Sequence, residues 1–363
     1  MSKAAQLAAL VGSGQAQGNK NIFLNGGMNV AQRSASVTGN TAGGYLTCDR
    51  INFVQNMGTW TVTQSSDAPS SEGFLNAYRI DCTTADTSVA ATDYLLVQQK
   101  IEGQNLQTLR KGTSSAKPVT LSFFVKSNTT GNFVVELYDG DNSRQISALY
   151  TISSANTWEK KTVTFAGDTS GAFDDDNLES LQINWWLGAG SNYTSGTLNT
   201  SWASATTANR VAGTQNLAAS TDNDWAITGV QLEVGEVATP FEHENIGTTF
   251  EKCQRYYVKL LADTVYDSYG SGFFYAAAQF YGIIRVPTRM RAVPTMSGTG
   301  SFAAMNNAHH DAMDSLIINR CLVDGLCIET YSDMSTNQGI VGHAGHIRDN
   351  NDGDSFLELI AEL

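Results

Sequence analysis

The sequence predicts an all-β protein: an antiparallel jelly-roll or β-sandwich domain, then a smaller C-terminal β-sandwich domain, with a short helical arm at the N-terminus. Three observations predict it. Charged residues are only 16% of the chain, against roughly a quarter in an ordinary soluble domain. Gly, Ser, Thr and Asn take their place, with 33 Gly and only 5 Pro; exposed helix faces would instead call for many Lys and Glu. Finally, 6 Trp, 13 Tyr and 15 Phe exceed what a disordered chain carries, and from Asn21 onward they fall in short β-branched runs separated by turn clusters.

The elements follow in order. Ala4, Leu7, Ala8 and Val11 lie at helical spacing before Gly12–Gly18 interrupts the pattern. A helix of about ten residues is marginal alone in water, so residues 1–18 are expected to be an arm and linker. Strand-like runs come next at Ile22–Leu24, Arg50–Val54, Thr59–Thr63, Tyr78–Cys82, Tyr94–Ile101, Val119–Val125, Asn132–Tyr138, Ile146–Ile152, Glu159–Phe165, Ser180–Leu187 and Asp224–Leu232. Between them SSDAPSSEG, KSNTTGN, DGDNS and AGDTSG are turn chemistry. Strands at this spacing, without amphipathic helices between them, read as a sandwich or jelly roll over residues 19–247. In WAITGVQLEVG a bulge at Gly229 would let Ile227, Val230, Leu232 and Val234 share one buried surface. After Pro240 the pattern changes. Glu251–Ala262 fits either strand or helix, Gly270–Val286 is aromatic and β-branched, and strand-like runs return at Ser315–Val323, Leu326–Thr330, Gly339–Gly342 and Phe356–Leu359. These place a second domain at 248–363.

Charge excludes several classes of function. With 22 Lys+Arg against 35 Asp+Glu the net charge is −13, and the densest basic stretch, RVPTRMR at 285–291, has three arginines. A nucleic-acid partner is therefore not expected, because phosphate tracking needs clustered cations. No run of 18 apolar residues occurs, so no membrane-spanning helix is expected, and the N-terminus lacks the features of a secretory signal. The five cysteines are scattered, without CxxC pairs, and are expected to be buried free thiols.

Site chemistry is sparse. No GxSxG, P-loop or dinucleotide fingerprint is present, and Cys253 has no base placed beside it in sequence; no enzymatic activity is expected. Trp185, Trp186, Tyr193 and Trp202 are candidates for stacking on sugar rings, with core or interface packing as the alternative. Adjacent Trp185 and Trp186 must point to opposite faces of a strand, which leaves one for the core and the other for a surface or subunit contact. Asp174, Asp175 and Asp176, with Glu179, read as a solvated turn, a calcium loop, or a carboxylate pair. DNNDGD (Asp349–Asp354) misses the EF-hand spacing and reads as a loop. HHDAMD (His309–Asp314) and GHAGH (Gly342–His346) would hold zinc only if folding joined them.

NGGMNVAQR (Asn25–Arg33), GYLTCDRINF (Gly44–Phe53), QQKIEG (Gln98–Gly103), VTLSFFVKSNTTG (Val119–Gly131) and WAITGVQLEVGEVATPFEHE (Trp225–Glu244) running into CQRYY (Cys253–Tyr257) occur in that order. Together they resemble a recurrent architecture in virion structural proteins of tailed bacteriophages, tail fibres and capsid or tail appendages among them, with a carbohydrate-binding-module-like jelly roll over about Asn21–Tyr257. The resemblance implies a non-enzymatic virion subunit, assembled in the host cytoplasm with other virion proteins. Ala4, Leu7 and Val11 would attach it to the particle, a homotrimer is the expected state, and host-surface glycan is a further partner. Recognition of host polysaccharide as the primary role, or its hydrolysis, are the alternatives. Modules of the type resembled often hold one structural calcium between first and last strands, which adds Glu233 to Asp174–Asp176 as a candidate ligand; no other cofactor is expected.

Overall fold

A computed structural model describes residues 20–305, 310–314, 316–321, 327–336, 339–351 and 353–363. The arm expected from Ala4, Leu7 and Val11 lies outside the described residues. Two compact units divide between Thr249 and Phe250, with Leu363 belonging to the first.

The first unit contains β1 (Ser36–Asn40), β2 (Gly44–Tyr45), β3 (Asn52–Gln55), β4 (Thr59–Ser65), β5 (Ala77–Thr84), β6 (Tyr94–Glu102), β7 (Val119–Ser127), β8 (Gly131–Asp139), β9 (Arg144–Ile152), β10 (Glu159–Phe165), β11 (Glu179–Ala189), β12 (Ala203–Ser204) and β13 (Asp224–Val234). A short helix α1 (Ser191–Thr194) follows β11. The strands form a six-stranded sheet, β1-β4-β5-β13-β7-β10, and a seven-stranded sheet, β12-β9-β8-β11-β6-β3-β2. Their inner faces bury one core that includes Trp60, Phe123, Trp225 and Leu232 from the first sheet, and Phe53, Val97, Phe133 and Trp185 from the second. This is the jelly-roll sandwich the sequence predicts.

Local chemistry explains the joints. In β13 the register against β7 slips between Thr228 and Gln231, where Gly229 has φ +62° and a Cβ would stand 2.7 Å from the Phe74 ring. The bulge keeps Ile227, Val230 and Leu232 in the core. Val234, expected beside them, is 40% exposed, because the strand ends as it leaves the sandwich. Ile22–Leu24 is not a strand but the start of a strap. Asn21 Nδ2 donates to the Val230 carbonyl and Asn21 Oδ1 accepts from Leu232 N–H. Asn25 donates to the carbonyls of Val30 and Asp49 and accepts from the N–H groups of Asn29 and Val30. A Cβ on Gly26 would meet the Val230 carbonyl at 2.1 Å. The NGG motif is thus a backbone clasp joining the chain's entry to its last long strand.

Helix α2 (Ile246–Gln254) precedes β14 (Tyr257–Leu261), so Glu251–Ala262 is helix first and strand second. The second unit continues with β15 (Ser268–Ala276), β16 (Gln279–Arg285), β17 (Thr295–Thr299), β18 (Phe302–Met305), β19 (His310–Ala312), β20 (Ile317–Cys321), β21 (Cys327–Asp333), β22 (Ala344–Asp349) and β23 (Phe356–Ile360). A three-stranded sheet, β14-β23-β17, packs on a seven-stranded one, β19-β18-β22-β15-β16-β21-β20. Leu357 joins Phe274, Phe280 and Ile347 in one core, and Leu359 joins Val286 and Ile328 in another. Gly339–Gly342 is a turn rather than a strand. Cys48, Cys82 and Cys253 are buried and form no disulfide; Cys327 is only half-buried.

Candidate functional site: the outer face of the seven-stranded sheet

Side chains on a strand alternate between faces, so the residues of β3, β6, β11 and β8 that do not enter the core stand together outside. The register lines them up. Asn52 pairs with Gln98, Gln98 with Asn184, Asn184 with Glu136, and Glu136 with Ser147, a polar rung across five strands. A second rung runs Lys100, Gln182, Tyr138, Gln145, and a third Leu96, Trp186, Val134, Leu149.

The rungs are locked by hydrogen bonds. Gln98 Nε2 donates to Gln182 Oε1 (2.9 Å) and Asn184 Oδ1 (2.8 Å). Gln182 Nε2 donates to Glu179, which also pairs with Lys100 at 2.8 Å. Glu136 is fully buried and its carboxylate is the hub: Asn184 Nδ2 and Trp186 Nε1 each donate to Oε2 at 2.9 Å, while Arg210 closes a two-pronged ion pair at 2.8 Å on both contacts. Burial pulls the Arg210 guanidinium down, but the Glu136 carboxylate outweighs it and holds the group above its ordinary value. Arg210 also lies over the rings of Tyr138 (4.8 Å) and Trp186 (5.1 Å). Lys100, Gln182, Tyr138, Glu179 and Asn52 remain half-exposed, and this strip can offer donors, acceptors and a ring edge to a ligand.

The residues singled out in sequence fall elsewhere or do other work. Trp185 points inward, is 1% exposed and packs edge-on to Phe23 and Phe123. Trp186 does face outward, yet it is no surface platform: it is 3% exposed, roofed by Tyr193 of α1 at 5.5 Å and by Val211. Trp202 is half-buried, donates to the Ala166 carbonyl and sits over the Lys111 ammonium.

The calcium ligands are not gathered. Asp174 and Asp175 are exposed in the loop before β11, and Asp176 accepts from Leu178 N–H. Glu233, on the other sheet, is satisfied by Gln231, the Thr239 N–H and the Thr239 hydroxyl. Among the described residues no three His, Cys, Asp or Glu side chains are placed to hold a metal. His309 lies outside them, and His343 and His346 are exposed. An oxygen cage does exist nearby, and a lysine fills it: Lys111 Nζ meets Asp139 (2.5 Å), Asp168 (3.2 Å) and the carbonyls of Ser170 (2.9 Å) and Gly171 (2.7 Å). Burial pushes the Asp168 carboxyl up, but hydrogen bonds from Arg144, Ser170 N–H and Lys111 prevail and hold it below the usual range.

No protein-family model matches the chain, and no curated protein matches it. Among solved structures, it is similar to the enzymatically active domain of bacteriophage CBA120 tailspike protein 4, at 13% identity and TM-score 0.30 over 59% of this chain and 21% of that one. A sugar-binding protein from Bacteroides thetaiotaomicron aligns at 14% identity and TM-score 0.31, over 59% of this chain and 99% of that one. The tandem CBM22-1–CBM22-2 domain from Paenibacillus barcinonensis Xyn10C aligns at 11% identity and TM-score 0.28, over 96% and 98%. All three are remote likenesses, and the chain spans about a fifth of the tailspike domain it matches.

Proposed function

We propose that the first unit is a non-catalytic carbohydrate-binding module that takes a neutral glycan along the half-exposed strip of the outer face. The observation that supports this reading most is the registered row of amides and carboxylates. Side chains already fixed by one another lose little further entropy when they bind, and neighbours about 4.8 Å apart within a rung present donors and acceptors at a spacing suited to sugar hydroxyls. With a net charge of −13, an acidic polysaccharide would be repelled at long range. Affinity electrophoresis and calorimetry against a panel of soluble polysaccharides test it. A neutral glycan should bind, and Gln182→Ala and Tyr138→Ala should each lower affinity about tenfold, the scale of one or two lost hydrogen bonds. Failure to bind any of the panel, or binding untouched by both substitutions, rejects the site; shortening of the polysaccharide would reject the non-catalytic role.

A second reading, a structural subunit of a phage appendage, is supported by the ordered motifs from Asn25 to Tyr257. It makes the module one part of a virion protein, with residues 1–18 as the attachment arm and other virion proteins as partners. Detection of the chain in purified particles, lost when residues 1–18 are deleted, is the expected outcome.

A further inference from the structure

Lys111 and Asp139 meet where the two sheets of the first unit close on each other. Lys111 lies on the segment entering β7, in the six-stranded sheet, and Asp139 ends β8, in the seven-stranded one. Their side chains are 4% and 0% exposed, with Nζ 2.5 Å from Asp139 Oδ2. The carboxyl carbon is then at most one bond farther from the nitrogen, which is a near-attack arrangement. The carbonyls of Ser170 and Gly171, at 2.9 and 2.7 Å, hold the nitrogen in place. Asn142 holds the acid: its N–H donates to Oδ1 at 3.0 Å, and its Nδ2 donates to Oδ1 at 3.2 Å and to Oδ2 at 3.0 Å. A second carboxylate, Asp168, 4% exposed, stands 3.2 Å from the same nitrogen, and Arg144 pins it through two nitrogens. The rings of Phe173 and Trp202 flank the nitrogen, with centroids at 5.1 and 5.3 Å.

A buried nucleophile, a polarised acyl carbon, a proton carrier and aromatic walls that exclude water are the parts of an acyl transfer. We propose that Lys111 and Asp139 join in the folded chain as an intramolecular isopeptide, an amide between Nζ and Cγ, with one water released. A proton first passes from the ammonium to Asp139 Oδ2, giving a neutral amine and a carboxylic acid. Burial favours this transfer, since it discharges both groups. The amine's electron pair then forms the N–C bond, and the negative charge gathered on Oδ1 falls to the Asn142 N–H. Asp168 takes the surplus proton from the nitrogen and hands it to the Oδ2 hydroxyl, which leaves as water when the C–O bond breaks. Asp168 ends as it began, a carboxylate, and nothing is oxidised or reduced. A cavity of about 20 Å³ lined in part by Lys111, Asp168, Phe173 and Trp202 borders the site, room enough for that one water. Charge balance favours the same pair. With Lys111 and Asp139 discharged together, Asp168 keeps Arg144 as its counter-ion, and no buried charge is stranded. The product ties one sheet to the other across 28 positions of chain and constrains the unfolded state as a disulfide would.

Mass spectrometry of the purified full chain, unfolded after purification, provides the test. The chain should weigh about 18 Da, one water, less than its sequence gives. Trypsin should fail to cut after Lys111 and should release peptides 111–126 and 127–144 as one branched species, whose fragments place the bond between Lys111 and Asp139. Lys111→Arg, which keeps the cation but cannot form this amide, and Asp139→Ala should each show their full calculated mass. Asp168→Asn should leave most of the chain at full mass, since its amide cannot carry the proton. A wild-type chain at full mass overturns the proposal. So does a deficit that survives Lys111→Arg, as a succinimide at Asp139–Gly140 would, or one that the fragments place elsewhere. These wild-type readings stand by themselves should a variant fail to fold. A full deficit in Asp168→Asn overturns the part given to Asp168.

Discussion

Removing Arg210 tests whether the outer face is held by its buried carboxylate. Glu136 has no exposure to water, and among the described residues the cation paired with it is Arg210, at 2.8 Å through two nitrogens. Arg210→Ala leaves Asn184 and Trp186 donating to a charge that has lost its counter-ion. Breaking a buried pair from one side costs about 3–5 kcal/mol, and at roughly 2–4 °C per kcal/mol for a domain of this size the melting temperature should fall by about 6–20 °C. Replacing both partners, Glu136→Gln with Arg210→Met, removes the charge altogether and should cost far less than Arg210→Ala. Urea denaturation of the wild type and the two variants at about pH 7 is the assay. A deficit below about 1 kcal/mol for Arg210→Ala, or one no larger than that of the double replacement, would refute the reasoning.

Other outcomes follow from the fold. Gly229→Ala forces a Cβ into Phe74 at a left-handed position and should destabilise by about 2–4 kcal/mol, read by calorimetry. Lys111→Ala empties the cage of Asp139, Asp168 and two carbonyls; the variant should melt lower, and added Ca²⁺, which suits hard oxygen ligands, should raise its melting temperature while leaving the wild type unmoved. Because the folded Asp168 carboxyl is held below its usual range, its contribution is complete above about pH 4 and lost as pH falls through the folded value; Asp168→Asn should lack that part of the acid transition in urea midpoints measured from pH 2.5 to 7.

Much of the first unit was legible because its strands are long and alternate. β4 through β11 and β13 coincide with runs read from the sequence, and the Gly229 bulge was visible as a break in their alternation. β1, β2 and β12 were not, since five residues of SVTGN, or two residues alone, carry no period. In the second unit β17 and β18 hide in MSGTGSFAAM, where glycine and alanine blur the two faces. The site was harder. Tryptophans drew attention as sugar platforms, but Trp186 is roofed by a segment whose key residue, Arg210, lies 74 positions from its partner Glu136. Sequence spacing cannot show such a contact. The outer face did leave a signal, Gln182 and Asn184, Gln98 and Lys100, and Glu136 and Tyr138 each two residues apart, but polarity on alternate strand positions is also what an ordinary solvated face looks like. Only the register turns these scattered amides into rungs.

The rungs divide their labour, and this bears on where a ligand can sit. Asn184 and Glu136 are fully buried, Asn184 donates to Glu136 and Glu136 holds Arg210; a glycan reaching them would have to displace the Arg210 segment. Gln182, Lys100 and Tyr138, one rung along, are half-exposed, although the Arg210 guanidinium lies over the Tyr138 ring. Binding should therefore follow the second rung and stability the first. Asn184→Ala should lower the melting temperature, because a buried carboxylate loses a donor at a cost of about 1–3 kcal/mol, while affinity for the glycan, measured on the folded fraction, changes little. Gln182→Ala should do the reverse. If calorimetry finds the two effects exchanged, with Asn184→Ala abolishing binding at unchanged stability, the segment carrying Arg210 must open to admit the ligand, and the locked rung is the binding surface after all.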